Sequence, residues 1–224
     1  MNDQKRIFAE ILKTGMNTID QLKWRYATKK FDALRVLSEE KINILKQAFN
    51  LTATSFGLQT ISLLIIKNKE IREQLLPLSY NQKQVVDASH LLVICIQDNI
   101  TDADVDTHFN NVKGIRETPE IILEPFKKNL KSTMEAKTVK ERQEWSIKQA
   151  YIALGNLMTV CAIEHIDSCP MEGFSPQAYD DVLKLSDKNL KSVLLLPVGF
   201  RAEDDMFSSL KKVRKQLDNA VIEM

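Results

Sequence analysis

Apolar positions along this chain follow two rhythms, a helical one over most of its length and an unbroken one at three short places. Ile7, Phe8, Ile11 and Leu12 fall on one side of a helix over residues 3–14, because residues three and four apart share a helical face. Asn17 and Thr18 carry side-chain oxygens that cap a short helix over residues 19–24. Ser38 is a second capped start, with Glu39 and Glu40 at the positive end of the helix dipole and Ile42, Leu45, Ala48 and Phe49 as the buried stripe. Residues 51–59 read as a loop. Residues 61–66, 91–96 and 193–198 are instead apolar but for Ser62 and rich in β-branched side chains, which predicts strands covered on both faces. A small sheet between layers of helix follows, an α+β architecture.

Residues 145–174 say most about the organisation. Within residues 150–163 only Gly155, Asn156 and Thr159 are not clearly apolar, so a helix there has no water-facing stripe and must be enclosed by protein. Lys148 and Glu164 close the run short of the roughly 20 apolar residues that a bilayer span needs. The helix leads into a tight turn, Cys169-Pro170-Met171-Glu172-Gly173-Phe174, which aims a short piece of backbone at something. Thr118-Pro119-Glu120 marks a further helix start, with proline where its missing N–H costs nothing, and the dense charge from there to Glu144 predicts a helical excursion on the surface.

Composition then removes classes. At 224 residues, 44% hydrophobic and 27% charged, the chain buries a full core without a disulfide or metal staple. Basic and acidic residues number 31 and 30, so no broad field draws the molecule onto nucleic acid or an anionic membrane, and any anion must be held by a local cluster. Cys95, Cys161 and Cys169 are odd in number and lack CxxC spacing, which predicts reduced packing thiols in a cytoplasmic protein. His90, His108 and His165 are scattered and make no metal set; His90 reads as a satisfied core residue at a strand start. Lys5 and Arg6 precede alternating charged and apolar residues, unlike a secretory signal. No repeat or Gly/Ser linker divides the chain.

Two basic clusters carry candidate chemistry. Arg25-Tyr26-Ala27-Thr28-Lys29 places two cations four apart with a hydroxyl between, and Lys212 and Arg214 alternate near the other end, so a phosphate would be clamped between them if the fold brings them together. Each cluster alone reads more readily as solvated surface charge. Thr54-Ser55-Phe56-Gly57-Leu58-Gln59 offers hydroxyls and a flexible glycine, as a binding loop or an ordinary turn would.

Taken in order, Arg25-x-x-x-Lys29-x-Phe31-Asp32, Ser55-Phe56-Gly57-Leu58-Gln59, Asn81-x-x-x-Val85-Val86-Asp87-Ala88-Ser89-His90, the Trp145 helix, Pro170-Met171-Glu172-Gly173-Phe174, Leu196-Pro197-Val198-Gly199 and Lys212-x-Arg214 resemble the FMN-dependent nitroreductase family. The pattern is most similar to its oxygen-insensitive NAD(P)H nitroreductase and dihydropteridine reductase branch, and covers the chain from Lys23 onward. The resemblance implies a three-layer nitroreductase-like fold with a central, mostly antiparallel sheet flanked by helices, an intertwined homodimer, and FMN at the subunit interface. Residues 17–224 would form one FMN-binding domain, and residues 1–16 a helical extension outside the family pattern.

By the same resemblance, Arg25, Lys212 and Arg214 would hold the ribityl phosphate, Lys29 would lie near the flavin N1 and C2 oxygen, and Asn81 would bond the pyrimidine edge. Pro170, Glu172 and Gly173 would approach the N5 side, with the Gly173 N–H donating to N5. Ala27 stands where the pattern often has a phosphate-binding serine, so the phosphate would lean on Arg25 and on the loop of Thr54, Ser55 and Gly57. Gln84 replaces a lysine near the flavin, and Thr60 a common proline. The implied activity is ping-pong transfer from NADH or NADPH to a nitroaromatic, quinone or pteridine acceptor. The alternative reading is a flavin-binding or dimeric interaction protein without turnover.

Overall fold

The computed structural model describes residues 17–224, and the helix expected over residues 3–14 lies outside them. Helix α1 (Thr18–Trp24) starts where the Asn17 side chain accepts the Ile19 N–H, and α2 (Glu39–Asn50) where Ser38 accepts the Lys41 N–H. Both caps satisfy backbone donors that a helix leaves unpaired at its start. After α2 come α3 (Lys69–Leu75), α4 (Gln84–Asp87), α5 (Asp102–Arg116), α6 (Glu120–Glu135), α7 (Val139–Ile163), α8 (Pro176–Leu183) and α9 (Leu217–Ala220).

Strands β1 (Ile61–Ile66), β2 (His90–Gln97), β3 (Asp167–Ser168) and β4 (Leu190–Gly199) form one antiparallel sheet in the order β1-β2-β4-β3. Alternation along β2 sends Leu92, Ile94 and Ile96 to one face, against Leu45 of α2 and Leu157 of α7. Leu91, Val93 and Cys95 point the other way, onto Leu75 of α3, Val85 of α4 and Tyr179 of α8. Helices therefore cover both faces in three layers, as the unbroken apolar runs predict.

Three differences from the sequence pattern have local causes. β1 is an edge strand, and its middle residues are only half-buried. β4 begins at Leu190, before its apolar run, because Asp180 neutralises the polar position at Ser192: its Oδ1 accepts the Ser192 N–H at 2.8 Å and the hydroxyl at 2.6 Å. β3 has no apolar signal at all; it is set by Asp167, whose oxygens accept the Arg201 backbone N–H at 2.8 Å and Nε at 2.7 Å.

The charged excursion expected between Thr118 and Glu144 is α6 with the first turns of α7, and α6 packs against α5. Asp106 takes Lys127 at 3.0 Å and Lys131 at 2.8 Å, while Val105, Leu130 and Met134 close a third apolar cluster beneath. Helix α7 opens with a Thr138–Glu141 capping box. Ala150, Ala153, Leu157 and Cys161 are fully buried, yet Tyr151 and Ile152 are 44% and 50% exposed. The enclosure expected on all sides of this helix is thus not completed within one chain.

Leu157→Ala, which empties a fully enclosed site, is expected to cost about 2–5 kcal/mol, and Ile94→Val about 0.5–1.5 kcal/mol, both read by urea unfolding.

Candidate functional site

The segment after α1 is irregular backbone held in place by one carboxylate from the far end of the chain. Asp205, 3% exposed, accepts the Tyr26 hydroxyl at 2.8 Å and the N–H groups of Lys29 and Lys30 at 2.9 and 3.1 Å on Oδ2. Its Oδ1 accepts the Phe207 N–H at 3.1 Å. Burial alone would raise the Asp205 pKa, but these donors together hold it below the ordinary carboxylate value. Beside it, Ala27 runs alongside Ser168, whose carbonyl takes the Thr28 N–H at 3.2 Å. The Arg201 guanidinium stacks over Trp24 and Tyr26 at 4.3 and 4.6 Å.

These contacts frame a cavity of about 450 Å³ in which Arg25, Ala27, Lys29, Pro170, Lys212 and Arg214 meet, with Met158 of α7 on the wall. Lys211 also lines it, so among the described residues five cations and no carboxylate surround the space. Among the described residues, no salt bridge uses Arg25, Lys29, Lys212 or Arg214. Arg25 Nε is buried without a hydrogen-bond partner among the same residues. Burial, and then the neighbouring Arg25 and Arg214, depress the Lys212 pKa. Cations crowded together without a carboxylate, one of them depressed by its neighbours, are what an anion relieves.

Next to Pro170 the chain makes its tight turn. Met171 exchanges backbone hydrogen bonds with Leu195 of β4, at 2.9 and 3.0 Å, and the Ser175 N–H donates to Leu78 O at 2.8 Å. Between those anchors, Gln82 Nε2 donates to Gly173 O at 2.7 Å and the Tyr151 hydroxyl to Glu172 Oε1 at 2.7 Å. The Gly173 N–H has no acceptor among the described residues. A Cβ at Gly173 would lie 3.0 Å from Gln82 Nε2, so a side chain there would displace the amide that holds the turn.

The remaining candidates sit elsewhere in the single chain. Asn81 is exposed in a left-handed conformation, φ 57°, and Gln84 is buried at the start of α4. Thr54, with a buried, unpartnered hydroxyl, and Ser55, whose N–H donates to Gln149 Oε1 at 2.9 Å, belong to the loop before β1, which turns through Gly57 at φ 68°. Gln149 and Met158 both belong to α7, and nine residues of helix put the loop about 13 Å along it from the cavity wall. Thr60 is buried and accepts the Ser146 hydroxyl at 2.9 Å, which explains a hydroxyl residue at that position.

Asp205, Gln82 and Tyr151 escape the sequence reading, because no spacing links Asp205 to Tyr26 or Gln82 to Gly173, and Tyr151 is hidden in an apolar run. Other reactive groups are silenced by their surroundings. Burial pushes the Cys95 and Cys161 thiols up to about 12 and raises that of Cys169, and none of the three is in a disulfide. His90 is 2% exposed, lies 2.8 Å from the Ser89 hydroxyl through Nδ1, and has its pKa lowered by burial. Among the described residues no group of three His, Cys, Asp or Glu is placed to hold a metal ion, and no helix is long and apolar enough to cross a membrane.

The nitroreductase family model matches residues 22–200, and the chain belongs to that family. A Staphylococcus epidermidis protein provisionally named an NAD(P)H nitroreductase is 30% identical over 212 residues, 91% of this chain and 94% of its own. A Bacillus subtilis structure provisionally titled a nitroreductase superposes with a TM-score of 0.82 at 18% identity, covering 92% of this chain and 98% of its own. An Exiguobacterium sibiricum structure, likewise titled and in complex with FMN, gives 0.79 at 18% identity over 93% and 98%.

Asp205→Asn is expected to destabilise the protein by about 1–3 kcal/mol at neutral pH. Because the folded pKa of Asp205 is depressed, its contribution is complete above the unfolded value of about 4 and fades as pH falls through it, so wild-type and variant melting temperatures should converge in acid.

Proposed function

We propose that this chain is an FMN-dependent NAD(P)H oxidoreductase. The observation that carries the reading is the convergence of Arg25, Lys29, Lys212 and Arg214 on one cavity without a compensating carboxylate. A dianionic phosphate fits that charge, and the unpartnered Arg25 Nε fits a phosphate oxygen. Lack of a hydroxyl at Ala27 leaves the phosphate to the three cations, Arg25, Lys212 and Arg214.

Pro170 joins this cavity directly to the Glu172–Gly173 turn, so a ring system extending from the phosphate would reach the free Gly173 N–H. Lys29 would then lie near N1, where a cation favours negative charge on the ring, with Asn81 and Gln84 toward the pyrimidine edge. FMN held there would supply two-electron chemistry between NADH or NADPH and, in ping-pong order, a planar, electron-poor acceptor such as a nitroaromatic, quinone or pteridine. The chain's part is to grip, orient and exclude water. Tyr151 is a poor acid, since its bond to Glu172 raises its pKa, so solvent supplies the proton of the second half-reaction.

The working unit in this reading is a homodimer. Tyr151 and Ile152 leave the outer side of α7 open, and Gly155 between them and the cavity meets nothing that a Cβ would touch. The last residues expose Val213, Leu217, Val221 and Ile222, which an intertwined second copy would cover. Such a copy would bring its own Thr54, Ser55 and Gly57 to the site. Reduced, buried cysteines suit a cytoplasmic setting.

The deciding measurement is a visible spectrum of the purified protein with FMN, taken without oxygen before and after each nicotinamide. A yellow protein bleached by NADH or NADPH is expected. A colourless one overturns the proposal, and a yellow one that neither donor bleaches supports a flavin-binding protein without turnover. Sedimentation should give twice the chain's 25.6 kDa.

Arg25→Ala and Lys212→Ala should each weaken FMN binding about 10-fold while leaving riboflavin binding unchanged, since they remove charge-assisted bonds to phosphate alone. Fluorescence titration at low and high salt reads both effects, the loss shrinking as salt screens the cations.

A further inference from the structure

We propose that Gln82 and Tyr151 are positioning residues that set the direction of the Gly173 N–H by holding the Glu172–Gly173 turn from two sides. The assignment deepens the flavin reading and rests on it. The ends of the turn belong to the framework: Met171 is bonded both ways to Leu195 of β4, and the Ser175 N–H to Leu78 O. Of the three residues between, Phe174 is buried in the core, and only Glu172 and Gly173 stand clear of it. Apart from the Phe174 N–H on Glu172 O at 3.0 Å, two side chains from distant parts of the chain fix them.

Gln82 comes from below. Tyr80 and Asn81 both take left-handed backbone, φ 53° and 57°, which folds the chain back so that the Gln82 N–H reaches Ser79 O at 3.0 Å. The side-chain amide then spends both N–H groups on carbonyls, Ser79 O at 3.1 Å and Gly173 O at 2.7 Å. A carboxylate of the same shape would turn two acceptors into repulsive contacts. Gly173 is part of this fit, because a Cβ there would meet the amide nitrogen at 3.0 Å.

Tyr151 comes from α7 and donates to Glu172 Oε1 at 2.7 Å, which ties the exposed turn to the longest helix. The Phe174 N–H, bonded to the carbonyl of the same peptide unit that carries the Gly173 N–H, polarises that unit and strengthens it as a donor. A donor is worth most when aligned with its acceptor, and loses strength steeply as the angle opens. Gln82 and Tyr151 thus act through Gly173 and need not touch the flavin.

The test compares wild type with Gln82→Glu and Tyr151→Phe, each checked for folding by circular dichroism melting. Hydrogen exchange of the Phe174 N–H, the bonded amide of the turn, reads the turn itself in the FMN-free protein. Anaerobic stopped-flow reduction and the flavin midpoint potential read its effect, and FMN titration checks that the phosphate grip is untouched. In each variant, exchange should quicken about 10-fold and reduction by NAD(P)H slow about 10-fold with a shifted potential, while FMN affinity changes less than about 3-fold. Exchange that matches wild type in both variants overturns the clamp. Faster exchange with unchanged reduction rate and potential makes the two residues merely structural and overturns the assignment as well. A wild-type protein that takes up no FMN removes the flavin reading and this inference with it, and the exchange data then show separately whether the clamp exists.

Discussion

One buried carboxylate decides where the charge of this molecule collects. Asp205 gathers the Tyr26 hydroxyl and three backbone N–H groups, two from the segment after α1 and one from the segment after β4. Those segments lie some 175 residues apart in the chain, and each carries cations. Tied at one point, they bring Arg25, Lys29, Lys212 and Arg214 to a single cavity in a protein whose net charge is only +1. The field is local because the knot is local.

Helix α7 distributes the rest. Its inner side completes the core with Ala153, Leu157 and Cys161. Along its other positions, Gln149 anchors the loop before β1, Tyr151 reaches the Glu172 turn, and Met158 forms cavity wall. A rigid rod 25 residues long holds these three at fixed spacing, so the geometry of the site is largely the geometry of one helix.

Much of this architecture was legible in the residues. Caps at Asn17 and Ser38, three unbroken apolar strands and the tight turn at Gly173 all rest on short-range rules, and short-range rules survive folding. The convergence of the two basic clusters was legible only as a condition, since periodicity carries no information on which distant segments meet. Strand β3 and the polar start of β4 stayed hidden because Asp167–Arg201 and Asp180–Ser192 pairs replace apolar burial there. Gln82 and Asp205 stayed hidden for the same reason: a single polar side chain that bridges two loops leaves no pattern on either. The loop of Thr54, Ser55 and Gly57 was placed by resemblance, and one copy of the fold keeps it away from the cavity.

Cys169 lies directly before Pro170, which lines the cavity, yet it is 1% exposed and its thiol is raised by burial. Cys95 and Cys161 are enclosed still more completely, at 0% exposure. An electrophile or peroxide arising in the neighbouring space finds no thiolate to alkylate or oxidise. Packing alone therefore keeps all three thiols out of reach of whatever small molecule enters that space.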